Sequence, residues 1–460
     1  MIERNNPGIL IAAVKSGSGK TTFTCALLEA LKQRNLNPTA FKCGPDYIDP
    51  MFHQKVIEVP SENLDPFFST EDQLKKIYET VAKQSEISVI EGVMGLFDGL
   101  GGVSEEGSAY HLASILNLPI VLIIDAHGMG RSIIPLISGF LQYDTFHLIK
   151  GIVLNKVSET FYEMIRKEIE QELQVEVLGY IPKKKEMNLE SRHLGLKLPD
   201  EIKGLKEQIV LASKIIEETV SIDKIIEIAG RKKKQRGKEE KEATRKKQVK
   251  IAVAKDPAFC FYYEENLRML EQNGAECIYF SPLKDRELPE DVDGILLGGG
   301  YPELYAKELE KNVSMRNSVK KSIEEGMPSI AECGGFLYLH DELEDEKNQR
   351  YEMCHVLKGK CFYKGKLVRF GYINLFEKNE EWMQGTSIKA HEFHYFDSEC
   401  NGDSCMAVKP VGKRKWDAIQ KGKRNFWGFP HLYYASNPAF VTHFIEEACY
   451  YKKERKRRDE

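Results

Sequence analysis

Residues 9–22 read ILIAAVKSGSGKTT. Ile9–Val14 is a short apolar run of the kind that forms a buried parallel strand. Ser16-Gly17-Ser18-Gly19 then lets the backbone turn tightly and expose its N–H groups. Lys20, Thr21 and Thr22 follow, and Thr22–Leu31 carries a helical pattern. A Gly-rich turn feeding a helix N-terminus is a phosphate cradle. The amides and the helix dipole face the anion, Lys20 can reach the β/γ-phosphates, and the Thr21 hydroxyl can ligate Mg²⁺. ATP and Mg²⁺ are therefore expected, with Gly17, Gly19, Lys20, Thr21 and Thr22 around them. Ala12 or Ala13 stands where G-x-x-x-x-G-K-[ST] would place its first glycine. The pattern is that of the deviant P-loop, with a second lysine, Lys15, before the main one. A Gly/Ser surface turn explains the glycines, but not the strand and helix in register with them.

A chain of 460 residues is too long for one core, so two or three domains are expected. A net charge of −4 gives no global footprint for nucleic acid. No apolar stretch is long enough to span a membrane. The 10 cysteines include no CxxC pair, which reads as reduced thiols in a cytoplasmic enzyme.

Up to about residue 230, short apolar runs alternate with helical patterns: Ile9–Val14, Thr39–Lys42, Ile87–Val93, Ile120–Asp125 and Ile149–Asn155. Such alternation predicts a parallel sheet with helices on both faces, and ligands at the C-terminal strand ends. The residues after each strand are therefore the informative ones. CGPDYIDPMFH (43–53) offers Asp46 and Asp49 for Mg²⁺ or for a substrate held through the metal. Turn aspartates beside proline are the bland alternative. ISVIEGV ends near Glu91, where a Walker-B carboxylate belongs, and Asp98 follows in a Gly-flanked loop. Gly99, Gly101 and Gly102 would let that loop close over a substrate. Asp125 ends its strand as a helix N-cap or a nucleotide contact. Asn155 stands where an amide can read adenine. Arg192 and His193, in ESRHLGLKLP (190–199), could meet a carboxylate substrate, or lie in a surface turn.

Residues 231–250, RKKKQRGKEEKEATRKKQVK, mix acids into a basic run without aromatics, which suits a solvated linker over a nucleic-acid tail. The closing KKERKRRDE reads the same way. The expected division is 1–230 for the P-loop domain, 231–248 for the linker, 249–450 for a second α/β domain, and 451–460 for a charged tail. In that second domain AFCFYYEENLRMLEQNGAE (258–276) reads as a helix with Gly274 as its C-cap.

Cys333 lies between the apolar Ser329-Ile330-Ala331 and a helical run from about Phe336, with Gly334 and Gly335 directly after it. This is a strand–nucleophile–helix elbow. The helix N-terminus is expected to lower the thiol pKa. Gly299 and Gly300, in DGILLGGGYPE (293–303), can turn backbone N–H groups toward an oxyanion. The nucleophile needs a base. His431, in GFPHLYYASNP (428–438), fits best, with His391 and His394 of HEFHYF (391–396) nearby candidates.

KSGSGKTT, CGPDYIDPMFH, EGVMGLFDG, SRHLGL, GGGYPE, AECGGFLYL, HEFHY and HLYYASNP occur in the order found in cobyrinate a,c-diamide synthases. The resemblance runs from the N-terminus to about residue 440. The N-terminal half also resembles dethiobiotin synthetase, and the C-terminal half resembles class I glutamine amidotransferases of the cobyric-acid synthase type. The resemblance implies an α/β chain of two domains: a P-loop parallel sheet with flanking helices, then a class I glutamine amidotransferase-like domain. It implies ATP- and glutamine-dependent amidation of the a and c acetates of cobyrinate, through a glutamyl thioester on Cys333 and an acyl phosphate made with ATP. It implies catalytic Cys333 and His431. Lys20, Thr21 and Asn155 would hold nucleotide, and Thr21, Asp46 and Glu91 would hold Mg²⁺. Asp46, Tyr47, Asp49, Asp98, Arg192 and His193 would bind substrate, and a homodimer is conceivable. Three positions depart from the pattern. Tyr433 stands where most class I amidotransferases carry a Glu after the catalytic His, Ala390 replaces a Gly, and Lys15 replaces His or Thr. Two rivals remain: the same amidation of sirohydrochlorin or its nickel form, and a deviant-P-loop switch ATPase, which has no use for Cys333 and His431.

Overall fold

The computed structural model describes residues 3–4, 6–187, 191–192, 195–196, 204–232, 247–379 and 381–459. Met1–Lys238 and Glu239–Glu460 form two compact units.

In the first unit, strands Gly8–Ala13 (β1), Pro38–Cys43 (β2), Ser61–Leu64 (β3), Ile87–Glu91 (β4), Ile120–Asp125 (β5), Ile149–Asn155 (β6) and Glu176–Ile181 (β7) make one sheet in the order β3-β2-β4-β1-β5-β6-β7. Every neighbouring pair is parallel. β1, β2 and β4 are buried along their whole lengths, as strands covered on both faces must be. Helix Lys20–Gln33 (α1) follows β1, and Ile48–Lys55 (α2) follows β2. In parallel strands all C-terminal ends share one edge. The turn after β1, the Asp46 loop after β2, the Asp98 loop after β4, Asp125 and Asn155 therefore lie along that edge. β1 sits between β4 and β5, with Ile11 opposite Glu91 and Ala13 opposite Ile123. β3 and β7 escape the sequence pattern because both are edge strands, and Ser-Glu-Asn-Leu has little apolar signal.

The second unit contains Val249–Ala254 (β8), Ala275–Phe280 (β9), Gly294–Leu297 (β10), Ser329–Glu332 (β11), Arg369–Glu377 (β12), Ser387–His394 (β13), Asn425–Gly428 (β14) and His431–Leu432 (β15). One sheet runs β9-β8-β10-β11-β14, all parallel, and ends in an antiparallel Gln420–Lys421. An antiparallel sheet runs Lys415–Ala418, Cys405–Val408, β12, β13, β15. The chain passes from the first sheet to the second through Phe429-Pro430, so His431 sits where the two meet.

Two expectations change. The helix expected at 258–276 is only Glu264–Gln272. Ala258–Tyr263 is spent otherwise: the N–H groups of Cys260 and Phe261 both donate to the Gly299 carbonyl, at 2.9 and 3.0 Å. Its aromatic residues carry no period that separates the two outcomes. The closing charge run is not a free tail but the end of helix Pro438–Asp459. Arg455 donates to the Val292 carbonyl at 2.6 Å and pairs with buried Asp293 at 3.0 Å. The expected linker falls mostly outside the described residues, although Arg231–Lys232 pairs in parallel with Glu3–Arg4. No helix among the described residues is long and apolar enough to cross a membrane.

Candidate active site

Gly17 and Gly19 take φ of +75° and +94°, conformations that disfavour any side chain. A Cβ on Gly19 would also meet Asn155 Nδ2 at 2.4 Å. Asn155 Nδ2 donates to the Ser18 carbonyl at 2.7 Å, so this buried amide braces the turn from the end of β6. Lys20 donates to the carbonyls of Met94 and Lys15. Burial, and then the charge of Lys42, bring its pKa down to about 8.

Thr21 Oγ1 donates to Glu91 Oε1 at 2.5 Å. Lys42 Nζ lies 2.8 Å from the same oxygen and also contacts Asp49. Neither Lys42 nor His53 stands out in the sequence. Lys42 sits inside a strand, and only the pairing Lys42 opposite Glu91 reveals its role. Burial, reinforced by Asp49, raises Glu91 to about 7. Burial opposes ionisation of Asp49 too, but Lys42 holds Asp49 below its ordinary value. Asp46 accepts from the Ile48 N–H at 2.8 Å and starts α2. Burial and Asp49 raise it to about 6. Asp98 accepts from the Gly95 N–H at 2.9 Å and closes a turn against Val14. Tyr47 is buried beside Asp46. Asp125 pairs with Lys156 at 2.8 Å, so it is an ion-pair partner and not a simple cap. Arg192 lies in a short antiparallel pair with Gly195–Leu196, and His193 falls outside the described residues.

Glu91 Oε2 is buried without a hydrogen-bond partner, and His53 Nε2, 3.8 Å away, is in the same position. His53 is neutral, because burial lowers its pKa to about 4. An orphaned carboxylate oxygen beside a threonine hydroxyl fits Mg²⁺, which takes one or two carboxylates and completes its shell with phosphate and water. No set of three or more His, Cys, Asp or Glu poised for a metal occurs among the described residues. Asp46 and Glu91 do not form an all-protein cage.

In the second unit Cys333 has φ +46° and ψ −101°, the strained elbow between β11 and helix Gly334–Leu339. Its N–H donates to the Gly428 carbonyl at 2.8 Å. Glycine is required around it. A Cβ on Gly334 would meet Pro302 Cδ at 2.9 Å and the Gly300 nitrogen at 3.0 Å. On Gly335 it would lie 2.2 Å from the Leu297 carbonyl oxygen. A Cβ on Gly299 would lie 2.3 Å from His431 Cε1, so the imidazole packs directly on that glycine. Glu332 pairs with Gly428 across the strands, which sets Cys333 and His431 at the same sheet edge as Gly299 and Gly300. His431 stacks on His391 with centroids 5.5 Å apart. Burial, and then His391, hold His431 well below its ordinary pKa, so it is a neutral base.

The thiol departs from expectation. Burial pushes Cys333 up, the carboxylates of Glu303 and Glu392 add to it, and the Gly334 N–H only partly offsets them. A six-residue helix does not outweigh desolvation. Glu332, which the sequence does not flag, accepts from Tyr434 OH at 3.1 Å and from the Leu432 N–H at 3.4 Å, gripping the chain just after His431. Tyr433, in the place of the usual acid, packs edge-on against Tyr263.

A phosphate-binding P-loop unit and a thiol–imidazole unit together define an amidating ligase that draws nitrogen from glutamine. Residues 9–196 match the CobQ/CobB/MinD/ParA nucleotide binding domain family, and residues 250–437 match the CobB/CobQ-like glutamine amidotransferase domain family. The chain belongs to the cobyrinate a,c-diamide synthase family. It is 39% identical to the cobyrinate a,c-diamide synthase of Caldanaerobacter subterraneus over 95% of this chain and 97% of that one. It is 38% identical to that of Thermoplasma volcanium (98% and 99% covered) and 40% identical to that of Listeria innocua (94% and 97% covered). The family places the chain among ligases of cobalamin biosynthesis.

Proposed function

We propose that this protein amidates the a and c acetate carboxylates of cobyrinate, using ATP and glutamine in turn for each. Cys333 Sγ attacks the amide carbon of glutamine. The C–N bond breaks as His431 passes its acquired proton to the leaving nitrogen, and ammonia departs, leaving a thioester that water cleaves. The Gly299 and Gly300 N–H groups are assigned to the oxyanion. In the first unit a substrate carboxylate oxygen attacks the γ-phosphorus of ATP, the bond to the β,γ-bridging oxygen breaks, and ADP leaves, giving an acyl phosphate. Ammonia attacks the acyl carbon, the C–O bond breaks and phosphate leaves. Carboxylates are poor electrophiles, and this step makes a good one.

Gly17, Gly19, Lys20, Thr21 and Thr22 hold the triphosphate, with Asn155 bracing the turn. Glu91 and Thr21, with Asp46 at the next strand end, would hold Mg²⁺, which supplies charge neutralisation of the phosphates. Asp46, Tyr47, Asp49, Asp98, Arg192 and His193 are assigned to the macrocycle. The contact of Thr21 with Glu91, beside a partnerless Glu91 oxygen, carries this reading. It gives a second activated centre that a simple glutaminase would not need. Incubation with ATP, Mg²⁺, glutamine and either cobyrinate or sirohydrochlorin, read by mass spectrometry, tests it. Two acid-to-amide conversions on cobyrinate are expected. Conversion of sirohydrochlorin alone, or ATP hydrolysis without amide, overturns it.

A further inference from the structure

The stretch AFCFYY (258–263) breaks the expected helix and takes no part in the reaction as written. Its bonds go to Gly298, Gly299 and Gly300. The N–H groups of Cys260 and Phe261 hold the Gly299 carbonyl. A Cβ on Gly300 would lie 2.1 Å from the Ala258 carbonyl oxygen, so backbone meets backbone there. The third tie is a side chain. Tyr262 OH accepts from the Gly298 N–H at 2.8 Å and donates to the Ala254 carbonyl. Ala254 is the last residue of β8, and the ladder between β8 and β10 stops at Val253 opposite Leu296. The phenol therefore joins the two strands where they part. Desolvation raises its pKa well above the ordinary value, so the hydroxyl keeps the proton it donates.

These ties fix a direction. The Gly299–Gly300 peptide is trans, and in a trans peptide the N–H points opposite to the C=O. The Gly299 carbonyl faces Cys260 and Phe261, so the Gly300 N–H faces away from them. A Cβ on Gly334, the residue after Cys333, would lie 3.0 Å from the Gly300 nitrogen. The Gly298 carbonyl accepts from the Gly335 N–H at 2.9 Å, which ties the same glycines to the elbow helix. They are thus held between the elbow and the Tyr262 segment. Glycine turns freely about both of its backbone bonds, so three in a row need outside ties to keep an N–H aimed. We propose that Tyr262 is a positioning residue for the glutaminase reaction: its hydroxyl holds Gly298 and thereby aims the Gly300 N–H at the carbonyl oxygen of glutamine as charge develops there. The proposal rests on the glutaminase reading above. A donor fixed before the reaction costs no reorganisation when the charge appears, and a strand tip of glycines cannot supply that rigidity itself. Phe261, beside Tyr262, carries the same segment to the base, with its ring centroid 6.4 Å from that of His431.

The test is Tyr262→Phe, which removes a single oxygen. Losing an oxyanion donor outright costs about 100-fold or more in kcat. Letting one drift costs less, so kcat for glutamine hydrolysis should fall about 30-fold while KM moves less than about threefold. Alkylation of Cys333 by iodoacetamide, followed by peptide mass spectrometry, separates aim from general damage. That reaction forms the S–C bond as iodide leaves and builds no oxyanion, so its rate should change less than about twofold. Ammonia-dependent amidation should stay intact. An unchanged kcat overturns the proposal, as does a loss confined to KM. A parallel loss of alkylation and hydrolysis would mean a merely structural role and also overturns it. If Tyr262→Phe does not fold, Gly298→Ala displaces the ring instead. Its Cβ would lie 2.4 Å from Tyr262 Cζ, and Gly298 takes no left-handed conformation that alanine would strain. The same split between hydrolysis and alkylation is expected, and a normal kcat there overturns the proposal. A wild-type protein that hydrolyses no glutamine would instead sink the glutaminase reading.

Discussion

Lys42 Nζ lies 2.8 Å from Glu91 Oε1 and bridges that carboxylate to Asp49. All three side chains are buried. The ammonium stays charged there: burial opposes it, but Asp49 and Glu91 together raise its pKa well above the ordinary value. Lys42→Met should therefore leave two buried acids without their cation. The expected loss is about 3–5 kcal/mol of stability, measured by urea denaturation without nucleotide. A loss below about 1 kcal/mol would mean that the acids are neutral in the folded state and that the ion pair is not what holds this edge together.

The two sites should be chemically separable. Cys333→Ala should abolish glutamine-dependent amidation and leave amidation driven by added ammonia, because only the nitrogen source is lost. Lys20→Ala should stop both, since neither route proceeds without the acyl phosphate. A glutamyl thioester should still form on Cys333 in that variant, as seen by intact-protein mass spectrometry. Failure of ammonia to rescue Cys333→Ala would contradict the division of labour.

Glu332 makes stability depend on pH. Burial raises its pKa from 4.5 to about 8, although Tyr434 and the Leu432 N–H pull the other way. The folded state thus binds this proton more tightly than the unfolded chain. The contribution is full below about pH 4.5 and fades as pH rises through about 8. A tenfold difference in proton affinity between the two states is worth about 1.4 kcal/mol, so the window holds a few kcal/mol at most. Glu332→Gln, neutral at every pH, should flatten the fall in stability between these limits. The difference between variant and wild type, measured by denaturation at about pH 5 and about pH 8, should grow with pH in favour of the variant. No change in that difference would place Glu332 ionised in both states.

The chemistry that lies in contiguous stretches is legible from sequence. The P-loop, the strand-end acids and the Cys333 elbow are each set by neighbours in the chain, so their residues can be named before their geometry is known. Lys42, His53 and Glu332 cannot, because each acquires meaning only from a partner on another strand: Glu91 for the first two, and the His431 segment for the third. The thiol's acidity is misread for a similar reason. A helix start is visible in sequence, whereas the burial that outweighs it comes from β10, β14 and the Pro302 turn. Asn155 falls at the expected strand end, and its amide nitrogen also braces Ser18, a pairing that no local pattern announces.

Gly299 offers the sharpest test of the imidazole's placement. It takes no left-handed conformation, so alanine strains nothing in its own backbone. Its Cβ would instead fall 2.3 Å from His431 Cε1 and 3.1 Å from Nδ1, inside van der Waals contact. The ring also stacks on His391, with centroids 5.5 Å apart. Gly299 is also fixed, because its carbonyl accepts from both Cys260 and Phe261. The conflict must therefore be met by turning His431. A misplacement of about 1 Å in a catalytic group can cost about 100-fold in rate. Gly299→Ala should lower kcat for glutamine hydrolysis by roughly that factor, with KM little changed and ammonia-dependent synthesis intact. A variant with normal kcat would mean that His431 does not act from the position it holds here.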